Sequence, residues 1–271
     1  MEEVSQRKDF TVGHGIGIYV LILVVMVIVG GISVVILGFH LAAILGELLV
    51  FLVPLSFLST GGYSLHNILT YRGKLHFNFW ILVGAASVFL FVVISDITGY
   101  VHQLFPRPQP QQEALLEIFI AKTWLEYLFR ILALSALAGF CEEFAFRGFL
   151  QSIFSKRWGG MKGFFLTAFL FALMHLDPWN FAGVFLLGLF LGYLVNLTQN
   201  LWVAILVHFL ANSISFSIGF FSPQVGADFE YTFPPYVTLI CTFLFLMSLN
   251  LMRTIYTKSQ TIEDRIEVIH S

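Results

Sequence analysis

The chain has 271 residues, of which 58% are hydrophobic and 11% charged, with 14 Lys+Arg against 16 Asp+Glu. A water-soluble domain is about 45–50% apolar and about 25% charged, and a disordered chain lacks the aromatics that abound here, so both classes are excluded. There is no basic excess to neutralise phosphates, which excludes a nucleic-acid binder.

The apolar runs approach about 20 residues, the length of a membrane-spanning helix, and do not alternate as barrel strands do. The expected fold is all-α, a polytopic membrane protein of about eight transmembrane helices in a single domain, 1–271. The charge-free windows set the spans in order. Ile16–Phe39 is the first, too long for a signal-peptide core and without a small-residue cleavage pattern. Leu41–Ser59, Phe77–Ile97 and Leu125–Leu150 follow, then Gly163–Leu176, Trp179–Val195, Leu201–Phe221 and Phe233–Met252. Between the third and fourth, Pro106–Gln112 reads as an exposed connection and Glu113–Lys122 as a short surface helix.

Orientation follows from the loops. With a cytoplasmic N-terminus, the inner segments hold Arg7, Lys8, Arg72, Lys74, Arg147, Lys156, Arg157, Lys162, Arg253, Lys258 and Arg265, and the outer ones only Arg107 and Lys122. This asymmetry is the positive-inside pattern and places both termini in the cytoplasm. Trp80, Trp158 and Trp202 fall at inner boundaries, and Trp124 and Trp179 at outer ones, as an aromatic belt requires. The sequon at Asn196 lies in a cytoplasmic turn and is expected to stay unglycosylated. The protein is expected to be integral and multi-pass, in the cell membrane if the source is prokaryotic. The cysteines, Cys141 and Cys241, lie in apolar runs and form neither a disulfide framework nor a zinc spacing.

Each intramembrane charge costs a few kcal/mol or more and needs a reason. The fourth span alone carries Glu126, Arg130, Glu142, Glu143 and Arg147. Glu143 and Arg147 are i and i+4 on a helix and can pair. Glu142 points about 100° away and is left without that partner. His175 ends the fifth span, and His208 and Asn212 lie at i and i+4 on one face of the seventh. At about 1.5 Å per residue from the cytoplasmic boundary, His208 lies roughly 10 Å deep, Glu142 12 Å, Asn212 16 Å and His175 18 Å. Four polar residues from three spans then converge in the inner half of the bilayer. A carboxylate and a histidine activate water as a general base, and a second histidine with an amide stabilises an oxyanion. The combination suits a hydrolase of amide bonds.

The residues Glu142-Glu143-x-x-Phe146-Arg147-Gly148, Phe171-x-x-x-His175 and His208-x-x-x-Asn212 resemble the three motifs of the CPBP intramembrane proteases, a family that includes the CAAX prenyl endopeptidases of the Ras-converting type and the bacteriocin-processing or Abi proteins. The motifs span 139–212. The resemblance implies an intramembrane endopeptidase of the glutamic type. In it Glu142 and His175 deprotonate the attacking water, His208 and Asn212 hold the oxyanion, and Glu143 and Arg147 support the site. The implied partners are a peptide or membrane-protein substrate, prenylated if CAAX proteins are cleaved, and the lipid bilayer.

Other readings stand beside it. Glu142, His175 and His208 can also form an open zinc site, although the preferred version has no cofactor. A catalytically silent scaffold or bacteriocin-immunity protein would not need an intact set. A transporter with a carboxylate proton relay lacks the inverted repeat expected of that class. Glu47, Glu126 and Arg130 read as a structural ion cluster in the outer half. Asp96, His14, His40, His66, His76, His102 and His270 read as solvated, and Asp177-Pro178 as the N-cap and first residue of the sixth span. Cys141 reads as inert packing.

Overall fold

The computed structural model describes residues 10–61, 75–224 and 231–270, with 260–270 described as backbone only. Arg7, Lys8, Arg72, Lys74 and His66 lie outside the described residues, as do the side chains of Arg265 and His270. Among the described residues the fold is all-helical, with no strand. Six stretches are long and apolar enough to cross a membrane. These are α1 (Val12–Thr60), α2 (Phe77–Leu104), α4 (Trp124–Trp158), α6 (Phe181–Thr198), α7 (Leu201–Phe221) and the membrane part of α8 (Pro235–His270), up to Ser259. The surface helix α3 (Gln109–Phe119) and the short apolar α5 (Gly160–Met174) complete the set.

The helix α1 is too long for one crossing, since 49 residues extend about 73 Å at 1.5 Å per residue. It breaks at Gly38, where φ is 75° and ψ 167°. That left-handed φ is open to glycine at little cost. Beyond it the chain folds back, so that a Cβ built on Gly46 would lie 3.5 Å from the Met26 thioether. The two arms, 12–37 and 39–60, therefore pack against each other. The second arm runs beside α4 in the same direction. The His40 ring meets that of Phe129 at 4.6 Å between centroids, and Phe51 meets Phe140 and Phe144 at 5.6 and 4.7 Å.

The fourth span does not stop at Leu150 but continues to Trp158. Within it two π-helical segments, Arg130–Leu137 and Phe144–Leu150, bracket the α-helical Ala138–Glu143. Such wide turns are rare and concentrate at functional sites.

Asp177 does not cap α6. Its carboxylate accepts the backbone N–H groups of Trp179 and Asn180 at 3.1 and 3.4 Å and closes a turn, and the helix begins only at Phe181. Asp96 and His102 are not solvated; both are buried. The Asp96 carboxylate accepts Phe233 N–H at 2.8 Å and the Thr238 hydroxyl at 3.0 Å, which ties α2 to the start of α8. Those donors belong to a segment remote in sequence, so position within the span alone misplaces Asp96.

Two apolar clusters form the core. One joins both arms of α1 with α4 and α5 through Tyr19, Val50, Phe144 and Phe171. The other joins α2, α6, α7 and α8 through Phe79, Leu191, Val207 and Met252. The polar site lies on the seam, where α4 of the first cluster meets α7 of the second.

Candidate active site

Glycine lets the elements around the seam approach closely. A Cβ on Gly139 would stand 3.4 Å from the Phe209 amide nitrogen, so α4 lies nearly against the α7 backbone. On α6, Gly188 and Gly192 form the small-xxx-small spacing that brings membrane helices together. A Cβ there would lie 3.1 Å from that of Ala168 and 2.8 Å from that of Phe164, respectively, both on α5. Their carbonyls become acceptors for α4. Arg147 Nη2 donates to Gly188 O at 3.2 Å, and Gln151 Nε2 donates to Gly192 O at 2.9 Å.

The charges follow from that packing. Arg147 Nη1 donates to Glu143 Oε1 at 2.7 Å, and both side chains are fully buried. The i, i+4 pairing expected from spacing is present. The same Oε1 accepts His208 Nδ1–H at 2.8 Å. Glu143 thus serves two cations or donors from two helices. Glu142, one residue earlier, is also buried, and its Oε2 has no hydrogen-bond partner. His208 Nε2 stands 3.8 Å from that oxygen, close enough for charge attraction and too far for a hydrogen bond.

Phe171 organises the other side. Its ring carries the Arg147 guanidinium on one face at 4.3 Å. His175 and His208 both meet it edge-on, at 4.9 and 5.7 Å between centroids. Its carbonyl is among the last four of α5, which have no partner within the helix. His175 Nδ1 lies 2.8 Å from that carbonyl. A carbonyl only accepts, so Nδ1 carries the proton and Nε2 of the neutral ring is left with its lone pair. His175 itself is exposed at the helix end, and joins the group through Phe171 rather than by a direct bond to Glu142.

Asn212 lies one turn beyond His208. Its amide donates to Leu134 O, in the first π segment of α4, at 3.1 Å. It also lines a cavity of about 110 Å³ between α2, α6 and α7, with Ser87 and Ser215 as further polar walls and Leu90, Leu187 and Val207 as apolar ones. Of the residues predicted for the site, the structure brings Glu142, Glu143, Arg147 and His208 into one cluster, with His175 beside it. Asn212 is committed to Leu134 and faces the cavity.

Residues 122–214 match the Rce1-like family, described as Type II CAAX prenyl endopeptidase Rce1-like. No curated protein and no solved structure matches the chain. The Rce1-like stretch begins just before α4, ends within α7 and contains every residue of the cluster. The six apolar stretches make the chain an integral, multi-pass membrane protein, and about a third of it is similar to this protease family.

The outer ion cluster is smaller than the sequence suggests. Arg130 donates to the carbonyls of Ile118 and Glu117 at 2.6 and 2.8 Å and lies 3.6 Å from the Glu126 carboxylate, so it caps the end of α3. Glu47 is not part of it. This carboxyl interacts electrostatically with Glu142, and its Oε2 is buried without a hydrogen-bond partner. Phe171 stood at the head of the Phe171-x-x-x-His175 motif, but spacing gave it no task. Glu47 gave no motif signal; only its charge inside an otherwise charge-free hairpin marked it.

The zinc alternative needs Glu142, His175 and His208 as ligands. Among the described residues no three His, Cys, Asp or Glu side chains assemble as a metal-holding group. His208 Nδ1 is bonded to Glu143 and His175 Nδ1 to Phe171 O, which leaves each Nε2 to face the site. Glu142, His175 and His208 are thus not gathered within metal-holding reach in this arrangement.

Proposed function

We propose that the chain is an intramembrane endopeptidase of the glutamic type, with eight membrane crossings and both termini in the cytoplasm, that hydrolyses a peptide bond near the C-terminus of a prenylated CAAX substrate. The observation that carries the reading is the asymmetry between two adjacent glutamates. Glu143 is committed to Arg147 and His208, while the buried Oε2 of Glu142 has no hydrogen-bond partner. A buried carboxyl group left unbonded costs stability and is retained where it has work to do.

In this mechanism the Glu142 carboxylate accepts a proton from water as the water oxygen attacks the scissile carbonyl carbon. His175 helps to hold that water through the lone pair on Nε2. His208 in its imidazolium form sits between Glu142 and Glu143 and offers Nε2–H to the developing oxyanion. Asn212 turns its amide from Leu134 O to the same oxygen. Both donors then bind the transition state better than the substrate. The 110 Å³ cavity beside Asn212 takes an apolar side chain of the substrate. In this reading water activation needs no bound metal, because Glu142 and His175 supply the acceptors for the water protons.

The test is cleavage of an S-farnesylated CAAX peptide by the purified protein in lipid vesicles. The wild type is expected to release the C-terminal tripeptide. Glu142→Gln keeps the shape but accepts no proton, and is expected to abolish release while unfolding at the wild-type temperature. A fully active Glu142→Gln protein overturns the reading.

A further inference from the structure

The described mechanism leaves one group unused. Glu47 comes from the second arm of α1, outside the Rce1-like stretch, and is brought to α4 by the packing of Phe51 on Phe140 and Phe144 one turn further along. Its Oε2 and that of Glu142 are both buried and both lack hydrogen-bond partners, and the two carboxyls are near enough to feel each other's charge. Around them stand the Cys141 thiol, which interacts with both, and the Glu143–Arg147–His208 group. Arg147 is spent on Glu143, and no guanidinium or ammonium is paired with Glu47 among the described residues. Two like charges in such surroundings repel strongly, so a carboxyl at Glu47, which has no cation beside it, is accommodated at least cost as the neutral acid.

Amide hydrolysis needs that proton. The departing amine is a poor leaving group unless it is protonated as the C–N bond breaks. Neither histidine is well placed to give it. The proton on His175 Nδ1 is held by Phe171 O and its Nε2 is bare, while His208 Nδ1–H is held by Glu143 and its Nε2–H serves the oxyanion.

We propose that Glu47 is the general acid of the reaction, the carboxyl that protonates the departing amine opposite Glu142. This rests on the hydrolase reading above. Water loses a proton to the Glu142 carboxylate while its oxygen bonds to the carbonyl carbon, and the carbonyl electron pair moves to oxygen. On collapse that pair returns, the C–N pair goes to nitrogen, and nitrogen takes the Glu47 proton. The products are a carboxylic acid and an amine, and transfer of the Glu142 proton to Glu47 restores the starting state.

The test compares two substrates in vesicles. In both, an S-farnesylcysteine peptide carries its reactive carbonyl, linked to a tripeptide as an amide in one and to p-nitrophenol as an ester in the other. The ester leaves without a proton. Glu47→Gln is expected to lower amide turnover by about 100- to 10,000-fold and ester turnover by less than about tenfold. Glu47→Asp, which keeps the acid but retracts it, is expected to show the same selectivity at smaller size, and serves if Glu47→Gln does not fold. Equal losses on both substrates, or unchanged amide turnover, overturn the assignment of Glu47. A wild-type protein that cleaves neither substrate instead overturns the hydrolase reading, and the assignment falls with it.

Discussion

His208 Nδ1 lies 2.8 Å from Glu143 Oε1, the same oxygen that takes Arg147 Nη1 at 2.7 Å. One carboxylate oxygen therefore locks α7 to α4 and fixes the imidazole that faces Glu142. Glu143 is the hinge pin of the site, and its charge matters to folding before it matters to chemistry.

Glu143→Gln is expected to be strongly destabilising. It leaves Arg147 buried with a neutral partner and weakens the His208 bond. Breaking a buried pair costs about 3–5 kcal/mol. Thermal unfolding in detergent should show a large fall for Glu143→Gln and almost none for Glu142→Gln, whose Oε2 has no hydrogen bond to lose.

Asn212→Ala is expected to lower kcat more than it raises KM. An oxyanion donor acts in the transition state, and loss of one typically costs about 100- to 1,000-fold. Steady-state kinetics on the farnesylated peptide checks this; an effect confined to KM would assign Asn212 to substrate binding through the cavity it lines.

The loop that follows His175 is held from outside. Arg107 Nη2 donates to both oxygens of Asp177, at 2.8 and 2.9 Å, and its guanidinium lies 4.5 Å from the Trp179 ring centroid. Trp179 Nε1 donates to Phe105 O at 2.7 Å. Leu176, between His175 and Asp177, has φ of 51°, a conformation that costs a non-glycine residue on the order of 1–3 kcal/mol. The clasp holds the chain in that form. Arg107→Ala should lower turnover by releasing the loop behind His175, with a smaller effect on unfolding temperature. Arg107→Lys should restore only part of the loss, because its ammonium can pair with the carboxylate but offers no planar face to the indole.

Exhaustive chelation is expected to leave activity unchanged, with elemental analysis of active protein showing no stoichiometric metal. Stoichiometric zinc, with activity lost on its removal and regained on its return, would overturn the metal-free reading and make the Nε2 atoms of His175 and His208 ligands.

Local periodicity made much of the site legible. The i, i+4 spacing gave the Glu143–Arg147 pair, and the same geometry left Glu142 apart. Depth counting was the weak step, because it used one rise per residue throughout. The π turns of α4 hold more residues per turn and advance less with each, and the helix runs on to Trp158, past the Leu150 end that set the depth of Glu142. His40 pairs with Phe129, but Phe51 reaches both Phe140 and Phe144. The slower advance of α4 carries Glu142 to the level of Glu47 and leaves Arg130 further out, bonded to the end of α3. Asn212 was placed on the correct face, but its present acceptor, Leu134 O, is a backbone group of a π turn that no side-chain pattern reveals.

The reversal at Gly38 bears on how the chain enters the bilayer. Across residues 12–60 the one charged side chain is Glu47, and inserting a carboxylate costs on the order of 2.5–3.5 kcal/mol. Each Leu, Ile, Phe or Val returns about 0.3–0.6 kcal/mol at a central position, so a hairpin rich in them inserts as a unit with its carboxyl unaccompanied. Synthesis reaches α4 only later. Glu47 is thus already lodged among lipid when Glu142 arrives, and the helix that carries the Rce1-like motif docks against a wall whose polar feature is waiting for it.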